Sequence, residues 1–323
     1  MKRIPLLASV LVVGLGLASA QRWDMHVAWP PANFHTKGVV KFADLVEQKT
    51  GGKLKIVVHA GGSLGFKGAE ILRVVRDGTL PIAEVLMGNV QGDEPVFGLT
   101  SLPLLAKNYD EAWRLYQIAK PYYEKALARN NARLLYAVPW PPSGIYTKKP
   151  LKSVADFKGL KVRTYDANSA AFVSQLGAEG IAIPFSELYT ALSTGLVNAV
   201  LTSTATGVDA KLWEVTNYFH RINYAFPLNM VIVNARMFDA LPQDEQAAIL
   251  EAAKAIEAMQ WKNSKRADLA SELELKNRGM KVISDIPAEI EDAMQAAAKK
   301  LWDRWLGVAG EDGKAIFKDY FGQ

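Results

Sequence analysis

The sequence predicts an α/β protein of two lobes, each a mostly parallel sheet flanked by helices, with one long helix running through both. Three observations carry this prediction. Strand and helix patterns alternate along the chain in two series. Trp140-Pro141-Pro142 interrupts them near the middle, where prolines cannot join a central ladder. Finally, Pro242 to Arg278 has no internal Gly or Pro. Alternation of this kind marks parallel sheets, because parallel neighbours need a crossover connection.

Taken in order, the chain opens with Lys2 and Arg3, an apolar run from Ile4 to Leu17, and Ala18-Ser19-Ala20. That is the pattern of a secretory signal peptide with cleavage expected after Ala20. The run falls short of the roughly 20 apolar residues that span a bilayer, and polar Gln21-Arg22 follows it. An apolar segment, Met25 to Trp29, comes next, then a Pro-Pro turn. A helical pattern from Gly38 to Lys49 stops at Gly51-Gly52, and the alternating, β-branched Leu54 to His59 reads as a strand. A helix is expected over Ala69 to Arg76. The second series reads as strand Leu134–Val138, strand Leu160–Arg163, helix Ala167–Leu176, strand Gly180–Ile183, helix Ser186–Thr194 and strand Ala199–Leu201. The helix from Pro242 to Arg278 carries Asp244 and Glu245 at its start, and Lys276 and Arg278 beside Gly279 at its end, which complements the helix dipole. It would reach roughly 50 Å at 1.5 Å per residue, beyond the ~30–35 Å breadth of a 150-residue domain. The expected division is 1–20 as signal peptide, 21–140 with about 229–268 as the first lobe, and 141–228 with about 269–323 as the second.

Composition removes several functions. With no Cys, disulfides, thiolate metal sites and Cys nucleophiles are excluded. The net charge of +5 is spread among acids without a basic cluster, so a nucleic-acid partner is not expected. P-loop, G-x-G-x-x-G and H-E-x-x-H patterns are missing, and His26, His35, His59 and His220 lack metal-ligand spacing, so neither cofactor nor metal is expected. One enzyme-like pattern remains. Gly61-Gly62-Ser63-Leu64-Gly65 matches the G-x-S-x-G elbow of exported serine hydrolases, with His220 the only histidine after Ser63. A glycine-rich turn between strand and helix gives the same pattern without catalysis.

Binding chemistry is better placed. Gly159 turns the chain into the strand Leu160–Val162, which delivers Arg163 to its carboxyl end. Ligands of parallel α/β sheets bind there, and a guanidinium can give a carboxylate two parallel N–H bonds. Trp29, Phe34 and Trp140 sit in Pro-rich loops at strand ends, where aromatic residues can line a cleft or pack on their own lobe.

The run "KKPLKSVADFKGLKVR" (148–163) resembles the signature of the solute-binding subunits of TRAP transporters, the DctP family. "VEQKTGGKLKIVVHAGGSLG" (46–65) and "PFSELYTALSTGLVNAV" (184–200) are similar to other family segments, in the same order. The resemblance spans the mature chain and assigns "GGSLG" to a family turn. It implies the two-lobed periplasmic binding-protein fold. The implied function is capture of a small organic acid in the periplasm by closure of the lobes, with delivery to integral membrane subunits, by a protein expected to be monomeric and not an enzyme.

It further implies that Arg163 holds the substrate carboxylate, and that Asp166, Phe185 and Thr202 face the ligand. The first-lobe wall would be Phe34 and Leu86-Met87-Gly88-Asn89, so Met87 and Asn89 are candidates beside Trp29 and Trp140. Many relatives carry a second basic residue where Ser143 stands. Its absence points to a monocarboxylate with an apolar or aromatic body, any hydroxyl lying near Asp166 or Thr202. An ABC-type or tripartite tricarboxylate binding protein shares the architecture and is the alternative; the Ser63 hydrolase is the remote one.

Overall fold

The structure, a computed structural model, describes residues 20–322; the segment read as a signal peptide lies outside them except for Ala20. The chain first forms β1 (Gln21–His26), α1 (Phe34–Lys49), β2 (Leu54–His59), α2 (Ile71–Arg76), β3 (Ile82–Leu86), α3 (Tyr109–Arg129) and β4 (Ala132–Pro139). It then crosses over and forms β5 (Gly144–Thr147), β6 (Lys161–Thr164), α4 (Ala167–Gln175), β7 (Glu179–Ala182), α5 (Leu188–Ser193), β8 (Ala199–Thr202), α6 (Thr204–Asp209) and β9 (Tyr218–His220). After a second crossing come β10 (Leu228–Asn234), α7 (Ala235–Asp239), α8 (Gln243–Asn277), β11 (Lys281–Ile283) and α9 (Ala288–Phe321).

Two sheets result, with strand orders β2-β1-β3-β10-β4 and β11-β9-β5-β8-β6-β7. Each has one strand running against the rest: β10 lies antiparallel to β3 and β4, and β5 to β8 and β9. The reason is geometric. The other strands run toward the space between the lobes, so a chain leaving β4 or β9 enters the opposite lobe at that end and must run away from it.

Local chemistry accounts for the element limits. Asn33 caps α1, its side chain accepting from the His35 N–H at 2.8 Å, so the helix starts four residues before Gly38. The first strand is Gln21–His26 rather than Met25–Trp29, because its pairing with β2 runs from Gln21 opposite Leu54 to His26 opposite His59. Gly279 ends α8 with φ 88°, a left-handed conformation that glycine adopts without strain.

α8 joins the lobes. Ile249, Ala252, Ala253 and Ile256 pack in the first-lobe core with Phe42 and Val46, while Leu275 packs in the second with Leu188 and Phe219. Arg221 and Thr204 both reach Asp268 on the same helix, from the second lobe. α9 is a second spanning element, which the sequence reading placed wholly in the second lobe. Ile290 to Leu301 pack there, but Trp305 packs in the first lobe, as do Ile316 and Tyr320 beyond a bend at Gly310. The tail is held by indole bonds: Trp302 Nε1 donates to the Pro103 carbonyl and Trp305 Nε1 to that of Pro95, both at 2.8 Å.

Phe42 is fully buried where α1 meets the sheet, its ring 5.4 Å from that of Tyr136. Phe42→Ala should therefore lower unfolding stability by about 3–5 kcal/mol, checked by chemical denaturation.

Candidate functional site

A cavity with about 310 Å³ of empty space opens where the strand ends of the two sheets meet. From the first lobe it is walled by Trp29, Leu86 and Trp140; from the second by Arg163, Tyr165, Phe185, Thr202, Ser203 and Thr206, with Ser143 and Pro227 from the crossings.

Arg163 is the only charged residue on this lining. It is 3% exposed, and its Nε donates to the Ile183 carbonyl at 2.9 Å. No carboxylate among the described residues pairs with the guanidinium. Burial pushes its pKa down to about 10, only partly offset by Tyr165 and Asp166. β6 lies between β7 and β8, so the cation is fixed in the middle of its sheet's edge rather than carried on a loop.

Aromatic rings form the facing wall. Trp29 and Trp140 meet edge to face at 4.7 Å, and Phe185 crosses from the other lobe to within 5.4 Å of Trp29. The Trp140 Nε1 is held by Asn229 Oδ1 at 2.8 Å, and the Trp29 carbonyl by the Thr36 hydroxyl at 3.1 Å. Ser143 Oγ and Tyr165 OH lie 3.2 Å apart. The arrangement offers one cation, flat apolar faces and several hydroxyls.

Six of the ten sequence candidates thus come close to one another, and five line the cavity with Arg163: Trp29, Trp140, Ser143, Phe185 and Thr202. The other four lie elsewhere. Asp166 caps α4, its Oδ1 accepting from the Ser169 N–H at 2.8 Å, while its Oδ2 faces Gly88 without a partner. Burial raises its pKa, opposed by the hydrogen bonds from the Ser169 N–H and hydroxyl. Met87 is fully buried in the first-lobe core. Phe34 packs behind Trp140 and lines an outer groove, and Asn89 lines an adjoining cleft. Tyr165, Ser203, Thr206 and Pro227 were not anticipated. Tyr165 was within reach, since strand alternation puts it on the same face as Arg163.

The lobes are in contact around the cavity. Asn33 Nδ2 donates to Asp209 Oδ2, Asn168 Nδ2 to the Gly98 carbonyl at 2.9 Å, and Lys67 pairs with Glu187 at 3.1 Å. Burial raises Asp209 to about 6, with the Asn33 bond and Lys37 opposing. The hydrolase reading loses its base. His220 is buried, with Nδ1 at 3.2 Å from the Ile145 carbonyl and Nε2 accepting from the Leu151 N–H at 2.9 Å. Both ring nitrogens are occupied by backbone, and neither can take a proton from Ser63.

Comparison with known proteins identifies the family and the fold. The family model of bacterial extracellular solute-binding protein, family 7 (DctP) matches residues 25–307. The crystal structure of DctP6, a Bordetella pertussis extracytoplasmic solute receptor binding pyroglutamic acid, superposes with a TM-score of 0.91 at 36% identity, covering 94% of this chain and 100% of that one. A marine metagenome TRAP solute-binding protein specific for pyroglutamate also gives 0.91 at 36% identity, covering 94% and 99%. The 2,3-diketo-L-gulonate-binding periplasmic protein YiaO of Escherichia coli (strain K12) is 29% identical over 253 residues, 76% of each chain. The chain belongs to the bacterial extracellular solute-binding proteins of family 7, the DctP family of TRAP-type solute receptors.

Proposed function

We propose that this receptor captures a compact monocarboxylate between its lobes, with the carboxylate on Arg163 and the ligand body against Trp29, Trp140 and Phe185. The observation that carries the reading is a buried guanidinium with no protein carboxylate to pair with it. Such a group is costly unless an anion meets it, and its planar fork fits a carboxylate. Because the lining holds no second cation, a dicarboxylate would bury an unpaired charge. Hydroxyls from Ser143, Thr202, Ser203 and Thr206 are available for one polar substituent. Pyroglutamate, an acid on a small flat ring, has this form, and relatives at 36% identity bind it.

DctP-family proteins are periplasmic receptors that serve TRAP membrane subunits. For this chain we infer export with cleavage after Ala20, action as a monomer, and capture without catalysis. We infer a first lobe of 21–140 with about 229–268 and the tail beyond residue 301, and a second of 141–228 with about 269–301; the packing of Trp305, Ile316 and Tyr320 supports the assignment of the tail.

Three measurements check the reading. In a thermal-shift screen, pyroglutamate and similar monocarboxylates should raise the melting temperature; stabilisation by dicarboxylates alone would overturn the ligand class. In calorimetric titration, Arg163→Ala should weaken binding by about 2–5 kcal/mol, and Arg163→Lys should recover only part of it. Wild-type affinity in Arg163→Ala would remove the site.

The third is pH. Asp209 is raised to about 6 in the closed arrangement, against an ordinary value of 3.8. If opening exposes it, the closed state binds more protons between those values, so affinity should strengthen as pH falls from 7 to 5. Asp209→Asn should flatten that dependence.

A further inference from the structure

Beside the Arg163 cavity lies a larger cleft with about 780 Å³ of empty space, which shares Trp29, Leu86 and Phe185 as walls. Two buried polar residues line it, His26 and Glu84, at 0% and 3% exposure. Neither ring nitrogen of His26 has a hydrogen-bond partner, and neither has Glu84 Oε2. The other oxygen, Oε1, lies 3.3 Å from His35 Nδ1. The His26 ring stands edge-on to Phe66, another residue of this cleft, with centroids 6.1 Å apart.

Orphaned buried polar atoms are rare, and each is costly unless something outside the protein satisfies it. Here they come from neighbouring strands, His26 at the end of β1 and Glu84 midway along β3, and adjoin a cavity whose own lining has a cation but no acid. Burial lowers the His26 pKa, so its imidazole is neutral at neutral pH and can accept as well as donate. Lys67, the one cation on the cleft lining, is already paired with Glu187. The cleft therefore offers acceptors to a donor and has no free cation for a second carboxylate.

We propose that the two spaces form one two-chamber site: with the carboxylate on Arg163, the second chamber takes the remote end of a longer acid, one that bears an N–H donor, an ammonium above all, for Glu84 and His26. Trp29, Leu86 and Phe185 line both spaces, and the middle of the ligand would run along them. This deepens the organic-acid reading and rests on it: the same receptor would take ω-amino acids as well as compact ring acids, and would discriminate by the group at the far end rather than by length.

Calorimetric titration of the purified protein with matched acids tests this. The probes are butanoate, pentanoate and hexanoate, each against its ω-amino counterpart, with pyroglutamate as the compact reference. At one chain length or more, the amino acid should bind at least 10-fold tighter than the methyl-terminated acid, and Glu84→Gln should reduce that ratio to 3-fold or less. No preference in the wild-type protein, or a preference that survives Glu84→Gln, overturns the second chamber. The wild-type comparison decides the matter even if the variant does not fold. Pyroglutamate binding without any ammonium preference would leave the single-chamber reading standing, whereas failure to bind pyroglutamate and every acid in the series would remove both.

Discussion

A guanidinium taken out of water without a carboxylate beside it is the constraint around which this molecule is organised. Arg163 sits on β6, which has neighbours on both sides, and is fixed through Nε to the Ile183 carbonyl just past β7, so it cannot swing out to find solvent or a surface acid. Desolvating a charge is costly, and the fold offsets that cost only in part, through one carbonyl bond and the distant potential of Asp166. On the proposed reading a ligand supplies the remainder, which is how a binding protein differs from one that merely buries an ion pair.

The topology explains why the incompleteness sits between lobes. Strands in both sheets run toward the gap, and the two crossings enter each sheet there, as reversed strands. Side chains from several strand ends and from the crossing segments are thereby brought to one place. Ser143 comes from the first crossing and Pro227 from the second, so the cavity is built partly from the segments that join the lobes. Trp29 and Phe185 meet across the gap only when the lobes are together. Ligand contacts therefore depend on closure, and a ligand that makes them shifts the open–closed balance.

Much of this was legible in the sequence, for reasons that differ by element. β2, β6 and α8 could be read because their patterns and stops are local: β-branched alternation, a Gly turn, a run without breakers. β3 and β10 are buried along their whole length, so they show no alternation to read. Arg163 was found because a strand end presents it, and Thr202 and Phe185 because family-like segments frame them. The resemblance implied that Asp166 faces the ligand; a short acceptor just before a helix also caps that helix, and Asp166 does so here. Met87 and Asn89 depended on a loop alignment in which a one-residue turn exchanges core for cleft. The C-terminal tail was misassigned because nothing local reveals that Trp302 and Trp305 donate to carbonyls of the first lobe.

The two lobes are joined four times, twice by extended crossings and twice by long helices. A helix resists bending far more than a single extended strand does, so α8 and α9 act as struts that allow the halves to swing while opposing slide and shear. Such a linkage favours rotation about one axis over other relative motions. A membrane partner touching both halves could then sense occupancy as one rotation, without contacting the solute.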